Sequence, residues 1–216
     1  EMSASLVGSE MCIRDSFLRA FVDYMIDIAN ESGKFDGDIV LVKPIEFGNL
    51  DMFHKQDCQY TVCLRGIVDG EPKVIKRVVT SVADAVDAYG EYQKYADYAK
   101  LDSLRYIVSN TTEAGIVYDD TDKFEAEPPK TYPGKLCKFL YTRYKHFNGA
   151  ADKGLVMLPV ELIDDNGIHL KECVVKFAKL WNLEEGFLTW LDDACVFTST
   201  LVAVSYTHLR AHETSA

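Results

Sequence analysis

The sequence predicts a parallel α/β sheet, on three observations. Continuous apolar runs of strand length recur at 38–44 (DIVLVKP), 104–109 (LRYIVS) and 155–160 (LVMLPV). A strand that is apolar on both faces is one covered from both sides, as in parallel sheets. Stretches with helical spacing of apolar residues alternate with these runs, the order expected of helices crossing over a sheet.

In chain order, residues 17–30 (FLRAFVDYMIDIAN) place Leu18, Phe21, Val22, Met25, Ile28 and Ala29 on one helical stripe, which Gly33 and Gly37 end. The strand 38–44 follows. Residues 58–66 and 72–82 are rich in β-formers and are joined by VDGEP, a turn signal, so they read as a hairpin. Ser81 with Asp84 three residues on reads as a helix start, and the Ala- and Tyr-rich stretch 83–100 as its helix. The strand 104–109 comes next, then an acidic, Pro-rich loop over 119–134. A helix opens near Pro133, a first-turn position for proline, with Leu136, Phe139, Leu140, Tyr144 and Phe147 on one face. After the strand 155–160, Asp164, Asp165 and Asn166 offer caps for a helix aligning Leu170, Cys173, Val174, Phe177, Ala178 and Trp181. A last helix covers 184–196.

Of 216 residues, 48% are hydrophobic and 26% charged, an ordinary globular balance. The net charge of −11 argues against a nucleic-acid partner, which calls for a basic face. No apolar run approaches the roughly 18–20 residues of a membrane span, and no secretory leader is evident.

The two ends read as foreign to this pattern. VGSEMCIRDS (7–16) and VSYTHLRAHET (204–214) have back-translations that are reverse complements of each other over nearly their whole length, and both resemble a sequencing adapter read through in frame. Residues 1–16 and 204–216 are therefore set apart from a domain spanning 17–203, which holds 30 acids against 21 bases. Its five cysteines, Cys58, Cys63, Cys137, Cys173 and Cys195, form no CxxC pair, and His54, His146 and His169 lack metal-ligand spacing. Reduced thiols in a cytoplasmic protein without a metal centre are expected.

In a parallel sheet, ligands sit beyond the carboxyl ends of the strands. The informative segments are thus 43–49, 109–115 and 160–167. Glu46 follows the first apolar strand, where an acid can grip a ribose diol, although a solvated loop acid has the same spacing. Asn110, Thr111 and Thr112 can hydrogen-bond a ribose or an amide, and Glu113 adds an acid at the same edge. Lys135 and Asn166 lie near element ends, Asn166 reading more readily as a turn or capping residue than as a catalytic one. A dinucleotide fold should open with strand, glycine turn and helix, yet no G-x-G occurs anywhere in the chain. Periodicity alone leaves open a Rossmann-like fold whose first strand and glycine turn are missing, and a different α/β fold.

Five separated blocks carry a family resemblance: FLRAFVDYMID (17–27), SNTTEAGI (109–116), PGKLCKFLYTRYKHFNGAADKG (133–154), PVELIDDNG (159–167) and FTSTLV (197–202). They resemble the tagaturonate reductases, or altronate oxidoreductases, of the mannitol-type, polyol-specific long-chain dehydrogenases. Where fructuronate and mannitol enzymes carry an acid followed by Asn in the fourth block, this chain has Glu161-Leu162, which favours the tagaturonate branch. The resemblance implies a Rossmann-like NAD-binding domain with a mostly parallel sheet, here without its first strand and glycine turn. It implies reduction of D-tagaturonate to D-altronate by NADH, with a small sugar acid as partner. Carried over by position, Phe17 and Leu18 would offer helix-terminal amides to the pyrophosphate, Glu46 would bind ribose, and Asn110, Thr111, Thr112 and Glu113 would lie beside ribose and nicotinamide. The catalytic Lys of the family falls outside the chain, leaving Asn166 as a catalytic candidate. Oligomeric state is not indicated. A related fructuronate or polyol enzyme, and a non-catalytic α/β binding module, are the alternatives.

Overall fold

The computed structural model describes residues 3–9, 17–111 and 115–200, with the backbone alone for 3–9. Its strands are β1 (Ser3–Ser9), β2 (Gly37–Lys43), β3 (Tyr60–Val68), β4 (Glu71–Val79), β5 (Val82–Asp87), β6 (Tyr106–Asn110), β7 (Val156–Pro159) and β8 (Val196–Phe197). Six of them form one sheet in the order β5-β2-β1-β6-β7-β8, every neighbouring pair parallel. Counting only sheet members along the chain, this is the order 3-2-1-4-5-6 of a doubly wound Rossmann fold.

The first strand, expected to be missing, is present. Ser3–Ser9, set apart above as foreign, lies at the centre of the sheet, pairing Ser3 to Gly8 with Gly37 to Val42 on one side and Leu6 to Ser9 with Ile107 to Asn110 on the other. The reason is general: β2 and β6 each present a row of unpaired N–H and C=O groups to the same gap, and any extended segment that fits satisfies both. The glycine turn of such a fold would fall at 10–16, outside the described residues.

Alternate side chains of the strands feed two cores. Ile39 and Leu41 of β2 join Leu18, Leu50, Val62, Val79, Val82 and Ala85 on one face. Val40 and Val42 join Val86, Ile107, Met157 and the helices α3 (Tyr92–Tyr98), α4 (Tyr132–His146), α5 (Asn166–Leu180) and α6 (Glu185–Asp193) on the other. This double cover is what the unbroken apolar runs required. The predicted helices at 133, 166 and 184 are the observed α4, α5 and α6, and Thr131 caps α4 by accepting from the Gly134 amide at 3.1 Å.

Three expectations are corrected. Residues 82–87 form β5, not the start of a helix: Val82, Ala85 and Val86 are buried on the sheet, so tertiary pairing with β2 overrides the helix preference of an Ala-rich run. Val196, expected at the end of the last helix, instead joins Phe197 in the edge strand β8. The opening helix is π-helical over Arg19–Asp23 before it becomes α1 (Tyr24–Glu31), and the short α2 (Asp51–Lys55) follows β2. The wider turn rotates the predicted stripe, leaving Met25 53% and Ile28 40% exposed, while Asp23 and Asp27 turn inward.

Those two carboxylates join the helix to the β3–β4 hairpin, whose two-residue turn has positive φ at Asp69 and Gly70. Asp27 accepts from Arg77 Nε at 2.5 Å, from the Thr80 amide at 2.7 Å and from the Ser81 amide at 3.2 Å. Burial pushes its carboxyl up, but these donors outweigh burial and hold it below the usual range. Asp23 accepts only from Tyr60 Oη, at 2.5 Å, and its Oδ1 has no partner among the described residues. Burial therefore wins there and pushes the carboxyl up to about 6, against the Tyr60 hydrogen bond and the Arg19 charge. On the other face, wholly buried Arg143 donates to the carbonyls of Lys153, Ala99, Leu101 and Leu104, so one guanidinium ties the end of α3 to α4 and to the turn before β7.

Asp23 makes stability fall with rising pH. Its folded value lies above the unfolded 3.8, so its contribution is complete below pH 4 and is lost as pH rises through 6. In urea titrations, the stability of the wild type relative to Asp23→Asn should drop by on the order of 3 kcal/mol between pH 4 and pH 7. A flat difference would show that Asp23 is ionised throughout.

Candidate functional site

At the carboxyl edge of the sheet, the segments after β2, β5 and β6 and the start of α4 enclose a cleft of about 390 Å³. Pro44, Ile45, Glu46 and Phe47 form one wall. Tyr89 stands beside them, Thr111, Gly115 and Val117 come from beyond β6, and Lys130, Thr131, Tyr132 and Lys135 come from the α4 end. Beneath it, an apolar recess shares Pro44, Thr111, Tyr132 and Lys135 and is floored by Val42, Ala88, Ile107 and Phe139. An apolar slot under a polar rim is the make-up of a site for a flat, partly apolar ligand with a few hydrogen-bonding groups.

The first wall is held from below. Lys43, the last residue of β2, is 2% exposed; its ammonium donates to the carbonyl of Ile45 at 2.8 Å and of Glu46 at 3.3 Å and pairs with Asp87 at 2.9 Å. Asp87 ends β5 and accepts from the Tyr89 amide at 3.0 Å. Glu46 itself is exposed at the cleft. Its charge, after burial, is the second cause that pushes the Tyr89 phenol above its usual range, so carboxylate and phenol lie within electrostatic reach.

The opposite wall is ordered by Asp122, which accepts from the amides of Lys130 and Thr131 at 2.8 Å each and from the Thr131 hydroxyl at 2.8 Å. Lys135 donates to the Lys130 carbonyl at 2.6 Å and lies 5.1 Å from the Tyr89 ring centre, closing the cleft's far side by a cation–π contact.

At its back, Thr111 is fixed by Glu161, whose Oε1 accepts from the Thr111 amide and hydroxyl, both at 3.1 Å. Burial pushes the Glu161 carboxyl up; the Ser109 hydroxyl and the Thr111 donors offset only part of that. Ser109 Oγ, Tyr132 Oη and Glu161 Oε2 are buried without a hydrogen bond of good geometry among the described residues. Such unsatisfied oxygens are uncommon in a packed interior and gather here beside the cleft.

Of the residues singled out from the sequence, the structure brings Glu46, Thr111 and Lys135 into this one cleft. Asn110 ends β6, half-buried and paired with Ser9. Phe17 and Leu18 open the described part of the first helix, Phe17 stacked on Phe21 at 5.3 Å and Leu18 buried in the core. Thr112 and Glu113 lie outside the described residues. Asn166 is wholly buried in a different place, at the start of α5. Its Nδ2 reaches the carbonyls of Pro159, Glu161 and Thr200 at 3.0–3.1 Å and its Oδ1 accepts from the Thr200 amide at 3.1 Å. Held by these backbone groups, the side chain positions the end of β7 and the segment after β8. Gly167 next to it is a necessity, since a Cβ there would lie 2.1 Å from the Thr198 carbonyl oxygen.

Sequence reading missed Lys43, Asp87, Tyr89 and Asp122. A lone lysine closing an otherwise apolar strand was a legible signal. Asp87 and Tyr89 were hidden inside the mistaken helix.

Truncating Asn166 to Ala should cost about 2–4 kcal/mol, because four backbone groups lose their partner in the interior. Glu172→Ala, on the exposed side of the same helix, should change stability by less than about 0.5 kcal/mol. Equal midpoints in urea for the two variants would refute the role given to Asn166.

Comparison with known proteins agrees with this architecture. A family profile described as the mannitol dehydrogenase Rossmann domain matches residues 15–208. Altronate oxidoreductase of Bacillus subtilis (strain 168) is 43% identical over 187 residues, and that of Escherichia coli O1:K1 / APEC is 44% identical over 188. Each alignment takes in 87% of this chain but 39% of the relative, so the chain spans about two fifths of the length of the proteins it matches. Among solved structures, Pseudomonas fluorescens mannitol 2-dehydrogenase, in ternary complex with NAD and D-mannitol, superposes with a TM-score of 0.74 at 22% identity, over 91% of this chain and 41% of that one. A substrate-free D-sorbitol dehydrogenase gives 0.70 at 18%, over 98% and 46%. At those identities the likeness is one of fold. The profile match, which takes in most of the chain, settles the lineage: the chain belongs to the mannitol dehydrogenase Rossmann-domain family.

Proposed function

We propose that this chain is the NAD-binding part of an oxidoreductase that reduces D-tagaturonate to D-altronate in the cytoplasm. The observation that carries the reading is the cleft itself: it lies at the carboxyl edge of a 3-2-1-4-5-6 sheet and has an exposed acid just beyond the second strand. Support for the reaction class comes from the altronate oxidoreductases among its relatives, and for the cofactor from the NAD complex of a protein with the same fold.

Bound there, the nicotinamide would supply the hydride. The chain's own residues would hold it. Glu46 would accept from the two ribose hydroxyls, and its charge would repel a phosphate in their place. The cleft between Pro44 and Tyr89 would take a flat ring out of water. The amides of Phe17 and Leu18, at the start of the first helix, would face the pyrophosphate. Asn110, Thr111, Thr112 and Glu113 would flank the nicotinamide ribose, with Thr111 locked in place by Glu161. The proton donor to the ketone oxygen is assigned to the part of the relatives that this chain does not span. Among the described residues no helix is long and apolar enough to cross a membrane.

In a full-length protein carrying residues 17–203, steady-state oxidation of NADH should be fastest with D-tagaturonate, ahead of D-fructuronate and D-fructose. The 216-residue chain alone should turn over none of them. A faster rate with either competitor would overturn the substrate assignment. No NADH oxidation with any of the three, together with no NADH binding, would favour a non-catalytic binding module.

A further inference from the structure

We propose that the buried Lys43–Asp87 ion pair is the positioning device that sets Glu46 against Tyr89, and so determines whether the cleft accepts a free ribose diol or a 2′-phosphorylated one. The proposal rests on reading the cleft as a dinucleotide site.

Three observations carry it. First, an ammonium 2% exposed is costly to bury and is retained here with three acceptors: the carboxylate of Asp87 at 2.9 Å and the carbonyls of Ile45 and Glu46 at 2.8 and 3.3 Å. Two of the three belong to the loop that bears Glu46, so the ammonium fixes that loop's backbone without touching the cleft. Second, the same pair reaches the other side of the acid, because Asp87 also accepts from the Tyr89 amide at 3.0 Å. One buried charge pair therefore sets both Glu46 and its aromatic neighbour. Third, Glu46 and Tyr89 line the same cleft, and the Glu46 charge is felt at the Tyr89 phenol.

The chemistry follows from charge. A carboxylate held at the diol accepts hydrogen bonds from both hydroxyls and repels a 2′-phosphate. A carboxylate on an unanchored exposed loop swings away, and both the attraction and the repulsion weaken. Loosening the pair therefore has a signature that general destabilisation lacks: it changes the ratio of affinities for the two cofactor forms, not only their size.

The test is saturation-transfer NMR on the purified 216-residue chain with NADH and with NADPH, on wild type, Lys43→Met and Asp87→Asn, each first shown to be folded by near-UV circular dichroism. Wild type should favour NADH by at least about tenfold, the scale of a charge-assisted hydrogen bond. Both variants should bring the ratio to within about threefold of one. Lys43→Met removes a partner from a buried pair and is the variant more prone to unfold. Asp87→Asn keeps the size and an acceptor oxygen, and decides the matter if Lys43→Met does not fold. A folded variant that keeps the wild-type ratio would overturn the positioning role, as would a wild type that binds both forms equally. A wild type that binds neither form would bring down the dinucleotide reading itself, and this inference with it.

Discussion

β2 and β6 are not paired with each other; β1 lies between them and pairs with both. Everything else depends on that gap being filled. To one side lie β5 and β2 with the hairpin and the first helix, and to the other β6, β7 and β8 with α4, α5 and α6. The cleft draws one wall from each half. A parallel sheet cannot leave a central gap open, because two facing ladders of amides and carbonyls would stand unpaired in a dry interior. The slot is met here by the short run SASLVGS. Backbone pairing needs little of a sequence beyond extension and the absence of proline, so a central position can be filled by residues that bear no mark of the family.

Much of the fold was legible because burial on both faces leaves a strong pattern. DIVLVK, YIVS and VMLP are strands, and the stripes from Leu136 and Leu170 are helices, as periodicity predicts. What escaped was governed by contacts remote in sequence. VADAVD has the composition of a helix and becomes β5 because β2 offers it a ladder. The stripe from Leu18 failed by one π-helical turn, which a period of 3.6 cannot encode, and the inward residues became Asp23 and Asp27. An acid read from sequence looks like surface, and only the hairpin arriving from residues 60–81 shows why these two are inside.

The site shows the same division. Glu46 and Thr111 could be named from their places after apolar strands, a consequence of topology. The groups that hold them, Lys43 with Asp87 and Glu161 with Thr111, depend on side chains from separate strands meeting at one edge. Asn166 had a local signal too, as a cap, and the structure gives it a structural task in knitting β7 to the segment after β8. A common rule runs through these buried polar groups. Lys43 and Glu161 are placed to hold backbone in position, and the oxygens of Ser109, Tyr132 and Glu161 that lack a hydrogen bond of good geometry among the described residues collect behind the cleft.

The central claim is that the cleft between the 44–47 loop and the start of α4 holds a dinucleotide. Mapping ¹H–¹⁵N chemical-shift changes on addition of NADH to the isotope-labelled chain tests it most directly. The account predicts shifts concentrated at the amides of residues 45–47, 89, 111, 115–117, 130–132, 134 and 135, with the β3–β4 hairpin and α6 unmoved. Shifts confined to the hairpin or α6, or no shifts at NADH concentrations in the millimolar range, would contradict it.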